Sequence, residues 1–296
     1  MLGRVIAGIW RSLLSRPSDA AAPEEIADLA RAARTAIAAG KRELGIEYAE
    51  RALDQDAECH EARLLLANLY LQGRSYEQII ADIHQHVRPR SYVEIGVATG
   101  KSLRLVRAET VALGVDPDPA IQFELSPNTR VFRETSDDFF SRRDVRGELG
   151  GLDVDLAFID GLHHFDFALR DFINLERLCG RGATILAHDC LPLDRASSQR
   201  ERKSGFWSGD VWRLIVLLKK YRPDLRIHVV AAPPTGLAII RNLDPASRVI
   251  ADRFEELRNE FMALDYGYLA AGRAEKLNLV ANDWAGIRAL LDAPAG

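Results

Sequence analysis

Five short strand-like runs, separated by stretches of helical spacing, constrain this chain of 296 residues more than any other feature. They read SYVEIGV (91–97), TVALGVD (110–116), TRVFRET (129–135), VDLAFID (154–160) and ATILAHD (183–189). Several are apolar nearly throughout, as strands covered on both faces must be. Helices can be drawn between and after them, notably KSLRLVRAE, HFDFALRDFINLERL and GDVWRLIVLLKKY. Such alternation predicts an α/β fold with a parallel, doubly wound sheet. Two later runs, RIHVVAA (226–232) and GLAIIRN (236–242), are joined by a connection too short for a crossover. They should form an antiparallel hairpin.

The flanks read differently. From Pro23 to about residue 88 the pattern is helical only, with breaks at Gly40 and Gly73 and a stop at Pro89. Small residues recur there, Ala33 with Ala67, and this spacing with GIEYAERALDQDAE resembles tetratricopeptide repeats. An ordinary helical cap on the next domain fits the same residues. Residues 1–22 combine a linker with a basic amphipathic helix whose Leu2, Val5, Ile6, Ile9, Trp10, Leu13 and Leu14 share one face. Such a helix, over residues 1–14, suits docking on this chain, on a second copy in a homo-oligomer, on a partner protein, or at a membrane surface. The expected organisation is therefore 1–22, 23–88, a sheet domain over 89–245, and a helical extension over 246–296.

Composition narrows the class. Hydrophobic residues at 47% and a formal charge of -4 fit a soluble globular protein and offer no polycation to nucleic acid. No apolar run approaches the roughly 20 residues that span a bilayer. Cys59, Cys179 and Cys190 are far apart and form no CxxC pair, which suits a reducing cytoplasm and argues against a disulfide framework.

In open α/β sheets, ligands bind beyond the carboxyl ends of the strands, so those ends carry the functional reading. The first run leads into EIGVATGKS (94–102), where Gly96 and Gly100 allow a tight turn and close approach of backbone to a ligand. The spacing matches neither the dinucleotide fingerprint nor the P-loop. Asp116 ends the second run, where a carboxylate can accept both hydroxyls of a ribose or simply form an Asp-Pro turn. After the third, Ser136 and Asp137 can contact an adenine edge or cap a helix. Asp160 and Asp189 end the fourth and fifth.

Together YVEIGVATGKS, GVDPDP, AFIDGLHHFDFALRDFINLERLCGRGATILAHD and SGDVWRLIVLLKKYRPDL resemble the class I S-adenosylmethionine-dependent methyltransferases, closest to the small-molecule and sugar O-methyltransferase branch. The resemblance covers roughly residues 88–245. It implies a Rossmann-like seven-stranded sheet with a terminal antiparallel hairpin. It further implies S-adenosylmethionine as cofactor, with Glu94 as the family's first-strand acid in the cofactor site, Gly96, Gly100, Lys101 and Ser102 at the methionine end and Asp116 at the ribose. Asp160-Gly161-Leu162-His163 matches the D-G-x-H segment of metal-dependent relatives. That match implies Mg²⁺ on Asp160 and Asp189, with His163 as the base that deprotonates a substrate hydroxyl. The position before Asp189, an acid in those relatives, is His188 here, and imidazole prefers softer metals. The segment 190–209, rich in Arg and Ser and carrying Phe206 and Trp207, is placed to cover the site.

The leading expectation is methyl transfer to a hydroxyl of a small molecule, sugar or glycan, in the cytoplasm. The alternative is a non-catalytic adaptor that binds partners through its helical repeats. An NAD-dependent oxidoreductase is disfavoured by the departed fingerprint and the terminal hairpin.

Overall fold

In the computed structural model, which describes residues 23–294, the first helices meet through small side chains. Helix α1 (Pro23–Ala38) starts on its proline, with Glu24 and Glu25 beside the unpaired N–H groups of the first turn. Helix α2 (Arg42–Gln55) lies against α1, and a Cβ on Gly45 would overlap Ile37 Cγ1. Both belong to one unit of the chain, Met1–Ala62, while Arg63–Gly296 forms the other. Helix α3 (His60–Tyr70) begins in the first unit and ends in the second. The amphipathic pattern of residues 1–14 lies outside the described residues. No helix among the described residues is long and apolar enough to cross a membrane.

The second unit contains strands β1 (Ser91–Ile95), β2 (Val111–Val115), β3 (Thr129–Phe132), β4 (Val154–Ile159), β5 (Cys179–His188), β6 (Arg226–Val230), β7 (Leu237–Arg241) and β8 (Leu279–Val280). They form one sheet in the order β3-β2-β1-β4-β5-β7-β6-β8. The strands β1 to β5 run parallel, and β7 is antiparallel to both β5 and β6, so the hairpin lies where the short connection requires it.

Two expectations are corrected. The sheet has an eighth strand, because the two residues of β8 add to the outer edge of β6. A two-residue strand carries no periodicity that a sequence could display. KSLRLVRAE is not an α-helix either; only a 3₁₀ turn, Leu103–Leu105, forms there. Running back along a five-residue strand takes about 11 helical residues. The chain between the Gly100 turn and Val111 is too short for that plus a return loop.

Both sheet faces are covered. Helix α4 (Tyr76–Val87) buries Ile79, Ile80 and Ile83 in a cluster with Tyr92, Phe158 and Leu186. Beyond the short helices α5 (Ser136–Arg142) and α6 (Val145–Glu148) and the later α9 (Phe254–Met262), α10 (Tyr266–Ala270) and α11 (Arg273–Leu277), helix α12 (Trp284–Asp292) adds Ile287 and Leu291 to it. Outside that cluster, α7 (Phe165–Glu176) packs on β4, β5 and α8 (Trp212–Tyr221). Register then fixes the functional edge: Ile95 pairs with both Val115 and Ile159, and Ile159 pairs with Ala187. The residues that follow, Gly96, Asp116, Asp160 and the pair His188-Asp189, therefore emerge side by side.

Helix α4 also buries His84 completely, edge-on to Tyr92 with ring centroids 4.7 Å apart. Neither ring nitrogen has a hydrogen-bond partner among the described residues. Burial, assisted by the Arg107 guanidinium, pushes this imidazole down to about 4. The unfolded chain, with an ordinary histidine near ~6.5, takes up the proton first. This contribution is therefore complete above that pH and is lost as pH falls toward 4. The gap corresponds to roughly 3 kcal/mol. Urea unfolding should show wild type losing about that much more stability than His84→Leu between neutral pH and pH 4. Equal pH slopes in the two proteins would clear His84 of the effect.

Candidate active site

The turn after β1 depends on a contact that excludes any side chain. Gly96 has φ +87°, and a Cβ there would overlap the main-chain carbonyl of Asp160 on the neighbouring strand. Ala98 and Gly100 also have positive φ, so the loop folds tightly back on itself. Asp116 clamps it: one carboxylate oxygen accepts from the Val97 N–H (2.9 Å) and the Ala98 N–H (2.8 Å). Its other oxygen accepts from the Asp118 N–H (2.8 Å), which makes the Asp-Pro turn as well. The two expectations for Asp116 are compatible in part: Oδ2 is filled by the two loop N–H groups, while Oδ1 keeps one lone pair for a ligand hydroxyl.

Glu94 supports the loop from below. It is fully buried and accepts hydrogen bonds from the Tyr92 hydroxyl (2.6 Å) and the Ser102 hydroxyl (2.7 Å). Burial pushes its carboxyl up to about 8, against the pull of those two bonds. Above the loop lies a cavity of about 480 Å³ whose walls include Gly96, Lys101, Ser102, Asp116, Ser136, Asp160 and His163. Gly100 shapes the turn without lining the cavity, and Glu94 stays beneath it. Asp137 is turned away, paired with Arg170 through bonds of 2.9 and 3.0 Å.

At the β4 and β5 ends, two carboxylates meet two imidazoles. His163 Nε2 stands 3.0 Å from Asp189 Oδ2 and 3.6 Å from Asp160 Oδ1. His188 Nδ1 stands 3.2 Å from Asp160 Oδ1 and 3.4 Å from Asp189 Oδ2, while its Nε2 meets the Thr235 hydroxyl at 3.2 Å. Burial opposes charge on His188, but Asp189 and Asp160 outweigh it and hold the imidazole up at about 10. The same balance raises His163 above the ordinary histidine range. Burial works against the Asp189 carboxylate, yet His188 and His163 hold it well below its usual range. His163 and Asp189 both have left-handed backbone, φ 58° and 60°, at a cost of about 1 kcal/mol or more each.

Asp160, His163 and Asp189 each offer a ligand atom, all within 4.8 Å of one another, so one divalent cation could bridge them. His163 joins the two carboxylates expected from the sequence. An O, O, N donor set suits Mn²⁺ or Zn²⁺ better than Mg²⁺. A cation there would displace the proton that pairs Nε2 with the carboxylates and leave Nδ1 protonated, so His163 either holds a metal or acts as a base.

The segment 190–209 covers His163 with a fixed side chain. Trp207 stacks on its ring, centroids 5.1 Å apart and 19° between planes, and the indole N–H donates to Gln199 O (2.6 Å). Arg200 is paired with Asp166 (2.6 Å). A Cβ on Gly209 would overlap the His163 carbonyl, so this segment also sets the His163 backbone. Asp210 accepts from the Phe165 N–H (2.7 Å) and so caps α7. His164 bonds Arg200 O (3.1 Å) and packs.

Tyr76, Phe167 and Asp171 line the cavity without having been singled out in the sequence. They sit on helices, and only the topology brings them to the strand ends. Gly96→Ala should cost roughly 1–3 kcal/mol in urea unfolding, because the Asp160 carbonyl must move. A neutral result would mean that the β1–β4 approach is looser than described.

Residues 93–190 match a family model described as a methyltransferase domain. No curated protein matches the chain by sequence. Among solved structures, the chain is similar to the O-methyltransferase TomG from Streptomyces achromogenes, involved in tomaymycin synthesis and solved in complex with SAM. That likeness has 12% identity, covers 80% of this chain and 95% of TomG, and has a TM-score of 0.41. A second is cofactor-bound Rv0187 from MTB, with 16% identity, coverage of 60% and 87%, and a TM-score of 0.44. A third is an O-methyltransferase from Bacillus cereus in complex with SAH, with 13% identity, coverage of 64% and 95%, and a TM-score of 0.42. Likenesses this distant carry no function across. The family match spans the glycine loop, Asp116, the Asp160–His163 segment and Asp189, so residues 93–190 are similar to a methyltransferase domain.

Proposed function

We propose that the cavity binds S-adenosylmethionine and that the chain moves its methyl group to a hydroxyl of a small molecule or sugar, with His163 as base. One observation carries this reading: a glycine-lined turn, an acid at the β2 end and a histidine held by two carboxylates share the walls of one cavity. Its volume, about 480 Å³, lies in the range of small-molecule sites.

The residues fit that cofactor. Gly96 lets backbone approach the ligand closely, Asp116 Oδ1 has a lone pair for a ribose hydroxyl, and Pro117, Leu162 and Phe167 give apolar walls beside Thr135 and Ser136 for a base. When bound, S-adenosylmethionine supplies an electrophilic methyl group on a sulfonium. The chain's own task is positioning and proton removal. Nε2–H of neutral His163 donates to Asp189, so the acceptor proton goes to Nδ1, which has no partner among the described residues, and Asp189 and Asp160 stabilise the imidazolium that results. His188, between the same carboxylates, offsets their charge. Trp207 holds the His163 ring in its plane.

A second reading places a divalent cation on Asp160, His163 and Asp189, and the spacing of their ligand atoms favours it. The substrate hydroxyl would then lose its proton to solvent or to a base outside the cluster.

Transfer of labelled methyl from S-adenosylmethionine to a panel of sugars, polyols and phenols tests both. His163→Gln should lower kcat by about 100-fold or more while leaving S-adenosylhomocysteine affinity intact. An unchanged rate would exclude His163 as base. Because the carboxylates raise His163, the acid limb of kcat/KM should rise with pH through a value above ~6.5. Activity that survives a chelator supports the base reading. Activity lost with chelator and restored by Mn²⁺ or Mg²⁺ supports the metal reading.

A further inference from the structure

Helix α4 belongs to the stretch that reads as helices without chemistry, yet its first residue stands in the cavity wall. The reason is length. Twelve helical residues span about 18 Å, close to a five-residue strand with its turn, so a helix that leads into the start of β1 begins level with the strands' carboxyl ends.

Tyr76 is held there from three directions. Ser75 and Gln78 close a capping box at the helix start. The Tyr76 N–H donates to Pro233 O (3.1 Å). The ring packs on His188 with centroids 4.0 Å apart and 31° between planes. The ring is thus fixed, while the phenol hydroxyl has no hydrogen-bond partner among the described residues. An oriented donor in a cavity wall is free for a ligand.

Sheet order says which part of a ligand reaches it. With the ribose at Asp116 on β2, a base lies toward Thr135 and Ser136, which follow the edge strand β3. The opposite direction crosses β1 toward β4 and β5, where Tyr76 rests on His188. The amino-acid end of the methyl donor extends that way. Its ammonium suits the acids there, Asp160 and Asp189, but its carboxylate does not. Lys101 in the same wall can supply charge from a flexible stem but no fixed donor, and the Ser102 hydroxyl already donates to Glu94. A neutral phenol O–H can serve the carboxylate.

We propose that Tyr76 donates its hydroxyl to the carboxylate of the amino-acid end of the bound methyl donor. This assignment rests on the S-adenosylmethionine reading above, so the test separates the two. S-adenosylhomocysteine and 5′-methylthioadenosine share adenine, ribose and sulfur, but only the first has the amino-acid group. Calorimetric titration of wild type and Tyr76→Phe with each ligand compares them directly. Phenylalanine keeps the ring on His188 and removes only the hydroxyl. Tyr76→Phe should bind S-adenosylhomocysteine about 10-fold more weakly and 5′-methylthioadenosine as tightly as wild type does. Unchanged affinity for S-adenosylhomocysteine, or equal weakening of both ligands, would overturn the assignment. Wild type that binds neither nucleoside would instead overturn the cofactor reading, and the role of Tyr76 with it.

Discussion

The site depends on how closely β1 and β4 approach at their carboxyl ends. Ile95 pairs with Ile159, and the next residue on each strand, Gly96 and Asp160, are then too close for a Cβ between them. That contact turns the chain at Gly96 and sets the loop over the cavity. It also places the Asp160 carboxylate beside the β5 residues His188 and Asp189. A slip of one residue in register would send these side chains to the opposite face. The buried apolar runs make such a slip costly, so the packing of the sheet also sets the geometry of the chemistry.

A second constraint is electrostatic. Asp160 and Asp189 are brought together where little water can screen them, and each is met by imidazole nitrogens at 3.0–3.6 Å. Buried charges persist when they are paired and hydrogen-bonded. His188 is locked by Thr235 on one side and Tyr76 on the other, while His163 is reached from the cavity and stacked under Trp207. The two histidines therefore differ in setting: His188 is a fixed counter-charge, and His163 faces the cavity. Left-handed backbone at His163 and Asp189 shows that the fold accepts local strain to bring them together.

Much of this was legible in the sequence because it depends on nearest neighbours along the chain. Apolar runs of strand length predict the sheet, the short connection predicts the hairpin, and Gly96, Asp116, Asp160 and Asp189 stand where strands end. What failed to show depends on space rather than sequence. Asp137 looked suited to an adenine, but Arg170 from α7 claims it. Glu94 looked like a ligand contact, but its hydroxyl partners keep it below the loop. The helix expected after β1 had no room, and β8 is too short to leave a pattern. Tyr76 reaches the cavity only because α4 matches β1 in length, which no local motif records.

The central claim is that one cavity serves both the methyl donor and the His163 cluster. A crystal structure with S-adenosylhomocysteine tests it most directly. In that complex a ribose hydroxyl should meet Asp116 Oδ1, the base should lie beside Ser136, and the sulfur should face the cluster of Asp160, His163 and Asp189 across a gap wide enough for a methyl group and an acceptor oxygen. A nucleoside bound elsewhere, or bound here with its sulfur turned away from His163, would contradict it.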